Sequence, residues 1–349
     1  MCSISTSMTE DLPGPSVSVV IPAYNAGEDL DRCLEAVLRS DYPLTECIVV
    51  DDASTEASTA EIARKHGVTL VTMEKQGGPG LARNRGAELA KGQVLMLTDA
   101  DVMLHPGAIG IAARALQADP GVAAVFGSYD DQPAHPSFLS RYRNLYHHWN
   151  HQRGNEEAST FWTGCGAARR DVFLQLGGFS SEFERPSIED IELGYRLRAA
   201  GHRIKLLKDM QGTHLKEWTF SGMMKTDIFQ RGIPWVVLLK RHPDVPPDLN
   251  LNLGARIATA LAGLFLLSLL LLIPGHPASL PLWHGLLLPL AAVAGIAWIQ
   301  RDFLFLLGRL YGPQAALAGV PLQLVFFMAC GIAVPLGYLK FWRDGSKPS

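Results

Sequence analysis

The chain has 349 residues, a formal net charge of −3 and 48% hydrophobic residues. This balance gives no strong basic field, so no nucleic-acid partner is expected. The charges are unevenly placed, because residues 257–299 contain no Lys, Arg, Asp or Glu. The first 16 residues are polar and lack an apolar core, so we expect a disordered tail over residues 1–15 and no signal peptide.

Apolar runs alternate with helical patterns in the first 130 residues. A run of four to seven apolar residues predicts a buried strand, and apolar residues spaced three and four apart predict a helix. Strands that alternate with helices predict an α/β fold, in which helices flank a mostly parallel sheet. The predicted strands are Val17–Pro22, Cys47–Val50, Val68–Thr72, Val94–Thr98 and Val122–Gly127, and the predicted helices are Leu30–Leu38, Thr55–His66, Gly80–Ala90 and His105–Ala118.

Acidic residues follow two of these strands. Asp51-Asp52 comes after the second strand and Asp99-Ala100-Asp101 after the fourth. Ligands of such sheets bind beyond the carboxyl ends of the strands. Carboxylate oxygens suit Mg²⁺ or Mn²⁺ bound to a diphosphate. Most isolated D-x-D triplets are ordinary loop residues, but the position of this one at a strand end favours a metal site.

Three further features each have a functional and an ordinary interpretation. Gly77–Gly80, before Arg83, is a phosphate cradle or a plain loop, and the local sequence favours the loop. Ser187 to Asp190 is a capping box with Asp190 at the third helical position, or it supplies a general base kept ionised by the helix dipole. His214 is a metal or phosphate contact, with Lys216 as a phosphate contact, although a single His is more often neither.

The last hundred residues contain long apolar stretches. Arg256–Ile273 and Leu282–Ile299 are each long enough to cross about 30 Å of hydrocarbon. Ala315–Leu339 is a third candidate, interrupted by two prolines, and it is re-entrant or split if positive charges stay inside. The connection at Pro274–Pro281 has no Lys or Arg, whereas the next one holds Arg301 and Arg309. The positive-inside rule then places the second connection and the soluble domain in the cytoplasm.

These features divide the chain into a tail and three parts. We expect a catalytic domain at residues 16–218 and a membrane domain of about three spans at 250–349. Between them, residues 219–249 would form amphipathic helices at the membrane surface and a linker near Asp244–Asp248. An ordinary core helix pair is an equally good interpretation of Thr219–His242. The predicted localisation is the inner (plasma) membrane, as a multi-pass protein with a cytoplasmic catalytic domain.

Six segments, taken in order, resemble the family-2 inverting glycosyltransferases with the GT-A nucleotide-sugar fold. They are VSVVIPAYNAGEDLDRCL, IVVDDAST, GGPGLARNRGAELAKG, LTDADVMLHPGAI, FWTGCGAARRDVF and GGFSSEFERPSIEDIELGYRLRAAGHRI. The similarity covers roughly Val17–Trp235. It implies a donor nucleotide-sugar, a hydroxyl-bearing lipid, glycan or peptide acceptor, contact with membrane lipids, and Mg²⁺ or Mn²⁺ as cofactor.

The resemblance also assigns roles to individual residues. Asp101, with Asp99 beside it in the D-x-D, would hold the metal on the diphosphate, and His214 is a further candidate ligand from its own place in the sequence. Asp190 would be the catalytic base, assisted by Glu189, and the turn that begins at Thr163 would face the acceptor. The nucleotide-sugar, most simply a UDP-sugar, would contact Pro22, Tyr24, Asp52, Arg83, Asp99 and Ala100.

One departure from the processive members of the family concerns the end of the domain. These synthases carry Q-x-x-R-W, whereas here Arg231 and Trp235 are not adjacent. The departure favours transfer of a single sugar.

Two other functions remain open. A sugar-phosphate nucleotidyltransferase would need a Gly-rich loop with a catalytic Arg or Lys near Ile21–Asn25, where there is none. An inactive membrane scaffold would not need Asp99, Asp101 and Asp190.

Overall fold

A computed structural model describes residues 14–244, 251–270, 272–273 and 282–344, with side chains from residue 285 onward in the last range. Most of the predicted tail, most of the linker and the Pro274–Pro281 connection lie outside these residues. The structure therefore describes the predicted catalytic domain and most of the apolar helices.

One mixed sheet of nine strands forms the centre of the domain. Its order is β3-β2-β1-β4-β8-β6-β9-β5, and β7 pairs with β9. The strands are β1 Val17–Ala23, β2 Glu46–Asp51, β3 Thr69–Thr72, β4 Val94–Thr98, β5 Val102–Leu104, β6 Val122–Tyr129, β7 Glu157–Ala158, β8 Cys165–Arg169 and β9 Arg203–His214.

The prediction of an α/β fold is confirmed, but the sheet is less parallel than expected. The pairs β1–β2, β2–β3, β1–β4 and β6–β9 are parallel, while β4–β8, β6–β8, β5–β9 and β7–β9 are antiparallel. Two of the antiparallel pairs arise because β8 returns between β4 and β6. Its sequence, Cys-Gly-Ala-Ala-Arg, has little of the branched or aromatic character that marks a strand.

Two layers of helices cover the sheet. One apolar cluster joins a sheet face to α1 and α4, and the other joins the opposite face to α3, α6 and α7. Helix α3 lies so close that a Cβ on Gly86 would be 2.3 Å from Cγ1 of Val20. The helices of the domain are α1 Gly27–Leu38, α2 Ser58–Lys65, α3 Pro79–Leu89, α4 Ala108–Ala118, α5 Phe138–Arg153, α6 Arg170–Gln175 and α7 Glu189–Ala199.

The segment after β9 is helical, as predicted. Helix α8 (Phe220–Lys225) leads into a π-helix (Thr226–Gly232) and then α9 (Ile233–Arg241). Trp235 and Leu238 pack on α7, whereas Phe220 and Phe229 are exposed. This segment thus has one face in the core and one exposed aromatic face. The core-helix interpretation describes the first face, and the membrane-surface interpretation describes the second.

The apolar helices are α10 (Leu253–Leu270), α11 (Leu282–Ile299), α12 (Arg301–Tyr311) and α13 (Pro313–Asp344). Within the described residues, α10 and α13 are long and apolar enough to cross a membrane, and the pair α11–α12, bent by 72°, counts as a third candidate. The expectation that the last segment is re-entrant or split is wrong, because α13 runs unbroken through Pro321 and Pro335. The bend lies instead between α11 and α12.

Helix α12 joins the apolar helices to the domain. Phe303 and Leu307 are buried against Tyr142 and Tyr146 of α5. At the end of α5, the Arg153 guanidinium lies 3.3 Å from the Asp302 carboxylate. The segment expected to be a loop with Arg301 and Arg309 is therefore a helix, and it packs on α5 of the sheet domain.

Candidate active site

A cavity of about 510 Å³ opens beyond the carboxyl ends of β1 and β4. This position is the one at which open α/β sheets bind ligands. Nine of the ten residues predicted for the site line the cavity, and Asp52 does not. The nine are Pro22, Tyr24, Arg83, Asp99, Ala100, Asp101, Glu189, Asp190 and His214.

Asp52 is occupied by the glycine loop. Its buried carboxylate accepts hydrogen bonds from the backbone N–H groups of Gly77 (2.7 Å) and Gly78 (2.9 Å). Gly78 has a φ of +86°, and a Cβ there would lie 2.7 Å from the carbonyl of Glu184. The amides that a phosphate cradle would use therefore already have an anionic partner, and the plain-loop interpretation is the better one.

Asp101 and His214 are brought together by strand pairing. In the antiparallel pair β5–β9, Val102 lies opposite His214, and the Leu215 N–H donates to the Asp101 carbonyl at 2.8 Å. As a result Nε2 of His214 lies 3.4 Å from a carboxylate oxygen of Asp101. The ring is stacked on Tyr129 with its centroid 4.3 Å away.

The surroundings of His214 fit a metal ligand. Nδ1 lies 2.8 Å from Oδ1 of Asn144, so a proton on Nδ1 would donate to that oxygen and leave the Nε2 lone pair for a cation between His214 and Asp101. A hydrogen bond of this kind commonly fixes metal-binding histidines. Among the described residues no cluster of three or more His, Cys, Asp or Glu side chains could hold a metal. Asp101 and His214 therefore fit a cation whose other ligands are diphosphate or water oxygens.

Arg83 connects the two acidic parts of the cavity. This buried guanidinium donates to Asp99 and lies 3.7 Å from Glu189. Its Nε and Nη1 have no hydrogen-bond partner among the described residues. Buried donors without partners are costly, so these N–H groups are suited to an anionic ligand in the cavity.

The predicted capping box is not formed. Helix α7 begins at Glu189, its N-cap is Ile188, and no side chain caps it. The Ser187 hydroxyl instead donates to the Gln230 carbonyl at 2.7 Å. Asp190 is the second helical residue, and its carboxylate accepts from the N–H of Ile191 at 2.8 Å. Glu189 accepts from the Ser187 N–H at 2.8 Å, so each acid holds one backbone N–H at the helix start and also lines the cavity.

Burial changes the ionisation of this pair. Burial and the neighbouring charge of Asp190 raise the pKa of Glu189 to about 7, although Arg83 opposes the change. Burial also raises the pKa of Asp190, while Arg231 and Arg83 lower it. The sequence predicted that the helix dipole favours the ionised form of Asp190, and burial acts in the opposite direction. A carboxylate with a raised pKa is a stronger base.

Several cavity residues were not predicted as site residues from the sequence. Asn144 and Arg143 lie on α5, Trp162 precedes β8, and Arg231 lies in the π-helix. The sequence signal for Arg231 was the partial match to Q-x-x-R-W. Trp162 lies in the segment FWTGCGAARRDVF, whereas Asn144 and Arg143 had no local signal.

Comparisons with known proteins identify the fold. A structure of a mannosyltransferase from Pyrobaculum calidifontis, in complex with GDP-Man and Mn²⁺, superposes with a TM-score of 0.52 at 22% identity, covering 95% of this chain and 88% of that one. The fold is thus the GT-A fold of nucleotide-sugar enzymes. Residues 18–177 match the profile of glycosyl transferase family 2.

Curated relatives extend the similarity. Validoxylamine A glucosyltransferase of Streptomyces hygroscopicus is 28% identical over 67% of this chain and 63% of its own length. Glycosyltransferase GlyG of Streptococcus pneumoniae is 32% identical over 32% of this chain and 38% of its own. YaiP of Escherichia coli, an uncharacterized glycosyltransferase, is 32% identical over 54% of this chain and 49% of its own length. The chain spans less than two thirds of each of these relatives.

Proposed function

We propose that the chain is a membrane-anchored, metal-dependent inverting glycosyltransferase that moves a sugar from a UDP-sugar to a hydroxyl group of a lipid, glycan or peptide-derived acceptor. The observation that carries this proposal is the gathering of Arg83, Asp101, His214 and Asp190 around one cavity. These residues lie far apart in the sequence, and together they supply anion donors, metal ligands and a base.

The donor would bind at the carboxyl ends of β1 and β4. Asp101 and His214 would hold Mg²⁺ or Mn²⁺, which would neutralise the charge of the departing diphosphate. The N–H groups of Arg83 that have no hydrogen-bond partner would donate hydrogen bonds to the nucleotide-sugar from the side opposite the metal. Pro22, Tyr24, Asp99 and Ala100 would line the nucleotide-sugar, whereas Asp52 would act by holding the glycine loop in place.

The acceptor would bind beside Asp190. Its hydroxyl oxygen would attack the anomeric carbon while the Asp190 carboxylate takes the hydroxyl proton. The bond between that carbon and the diphosphate oxygen breaks in the same step, so the configuration inverts. Trp162 and Thr163 line this end of the cavity, and the Thr163 N–H lies 3.4 Å from Asp190. Positioning and fixed charges would supply most of the rate.

A donor panel tests the proposal. The full chain in nanodiscs with Mn²⁺ is given UDP-sugars and GDP-mannose, and nucleotide release is measured. We expect one donor to be turned over, and chelator or Asp101→Ala to reduce turnover by at least about 100-fold because charge neutralisation is lost. Asp131→Ala, a nearby acid outside the cavity lining, is the control. Release unaffected by chelator would contradict metal dependence, and no turnover of any donor would favour the scaffold.

A further inference from the structure

A second cavity, of about 780 Å³, lies behind the active site. Its walls come from the π-helix and α9 on one side and from α10 and α13 on the other. Arg143, His147 and Arg231 line both cavities, so the two are neighbours across a shared wall. The volume lies within the range of sites for small organic ligands.

The larger part of this second cavity is apolar. Trp235 and Leu239 of α9 face Phe326, Phe327 and Val334 of α13, and Ala255 contributes from α10. Helices α10 and α13 are the two described helices that are long and apolar enough to cross a membrane. A hydrocarbon chain that enters from a bilayer between them would therefore contact these apolar side chains, although Lys240 and Arg256 also line the cavity.

The wall shared with the active site is cationic. Arg143 is neutralised by Asp227, with one N–H to carboxylate distance of 3.1 Å and a second, shorter contact. Arg231 makes no hydrogen bond or ion pair with any residue that the structure describes. Burial, and then the charge of Arg143, lower the pKa of Arg231. Arg231 is half-buried, and the charges of Asp190 and Asp227 act on it in the opposite sense without contacting it. An anion in the cavity would therefore give this cation the direct partner that it lacks.

The π-helix explains why Arg231 occupies this position. Thr226–Gly232 is wound more loosely than an α-helix, and Gly232 is fixed tightly, because a Cβ there would lie 2.6 Å from Cβ of Ala333. Short π-helices of this kind are frequent at functional sites. Asp227 and Arg231 both line the second cavity, and Arg231 also reaches the one that holds Asp190.

We propose that the acceptor is a phospholipid with a hydroxyl-bearing head group, and that the second cavity binds its acyl chain. The chain lies between α9, α10 and α13, the phosphate lies against Arg231, and the head-group hydroxyl reaches Asp190. This order of chain, phosphate and hydroxyl matches the order of apolar wall, cation and base along the two cavities. The inference rests on the proposed function, since it places an acceptor beside the proposed base.

Lipid retention tests this inference. The full chain is placed in nanodiscs of phosphatidylcholine that contain a minor fraction of phosphatidylglycerol, and the lipid that remains bound is measured by native mass spectrometry. We expect phosphatidylglycerol to be enriched at least about 10-fold over its share of the bilayer, because it supplies both an anion and a hydroxyl. Glycerol 3-phosphate alone should not compete, since it lacks the chain.

Two variants and one control locate the site. Thr259→Phe narrows the cavity from α10 and should abolish retention, whereas Ala260→Phe, on the exposed side of the same helix, should keep it. Arg231→Gln should leave a bound lipid but remove the preference for phosphatidylglycerol. UDP binding checks that Thr259→Phe is folded. Equal retention of both lipids by the wild type, retention by Thr259→Phe, or competition by glycerol 3-phosphate would overturn the inference.

Donor turnover in the same nanodiscs separates this inference from the proposed function. If phosphatidylglycerol is retained through Arg231 and Thr259 but no donor is turned over, the glycosyltransferase proposal fails and the lipid site stands. If a donor is turned over but the bound lipid is unselective, the enzyme stands and the acceptor assignment fails.

Discussion

At the scale of single residues, burial of Glu189 and Asp190 shapes the chemistry of the cavity, because it raises the pKa of both carboxyl groups. Asp101, Asp190 and His214 were found from their positions after strands and at a helix start. The raised pKa values of Glu189 and Asp190 depend on burial by distant segments, which local sequence does not contain. The capping hypothesis for Ser187 failed for the same reason, because the partner of its hydroxyl is the distant Gln230.

The pKa of Glu189 gives a prediction about stability. In the folded chain this pKa is raised from 4.5 to about 7, so the folded state holds the proton more strongly than the unfolded state. The contribution of Glu189 to the free energy of unfolding should therefore be largest below about pH 4.5, and it should be lost as the pH rises to 7. Glu189→Gln cannot ionise, so its melting temperature should fall less than that of the wild type between pH 5 and pH 8.

Thermal unfolding at several pH values, followed by circular dichroism in the same membrane mimetic, measures this difference. Glu88→Gln, an exposed glutamate on α3, serves as the control and should follow the wild type. Parallel curves for the wild type and Glu189→Gln would show that Glu189 has an ordinary pKa in the folded chain.

At the scale of elements, regular patterns were predicted well and irregular ones were not. Strands β1, β2, β4 and β6 are apolar runs, and they were located within two residues of their observed bounds. The short β5 and the Gly- and Ala-rich β8 carry little strand propensity, and tertiary pairing decides their conformation. Helix α12 was predicted to be a loop because its two arginines were taken as loop charges, although its apolar face packs on α5.

The position of α12 sharpens the predicted topology. Because α12 packs on α5, we expect α12 to lie on the side of the membrane that holds the catalytic domain. The start of α10 and the end of α11 should then lie on that side, and the Pro274–Pro281 connection should lie on the opposite side. In intact cells an impermeant thiol reagent should label a cysteine at Ser279, which lies outside the described residues, and should not label Gln314→Cys beside α12. The parent chain gives the background, and labelling of Gln314→Cys alone would reverse the orientation.

At the scale of the whole molecule, the mixed sheet is what assembles the site. Asp101 and His214 are neighbours only because β5 and β9 pair, and Asp190 joins them because α7 packs on the opposite face of the sheet from α1. The sequence resemblance anticipated this gathering through the order of its six segments. It did not anticipate the shared wall of Arg143 and Arg231, which depends on how α5 and the π-helix meet.

The central claim is that Asp190 takes the proton from the acceptor, and kcat of Asp190→Asn tests it most directly. Asparagine keeps the shape of the side chain but cannot accept a proton at neutral pH. A general base contributes about 10²–10⁴-fold in rate. Asp171→Asn is a matched control, since Asp171 lies in the first turn of α6 and accepts the next N–H at 2.8 Å, as Asp190 does in α7, but does not line the cavity.

With the donor identified by the panel, we expect Asp190→Asn to fold and bind donor like the wild type while kcat falls at least about 100-fold. Asp171→Asn should keep the wild-type kcat, and Glu189→Gln should be affected less than Asp190→Asn. A normal kcat in Asp190→Asn together with an inactive Glu189→Gln would show that Glu189 is the base instead. A normal kcat in both variants would contradict the proposed mechanism.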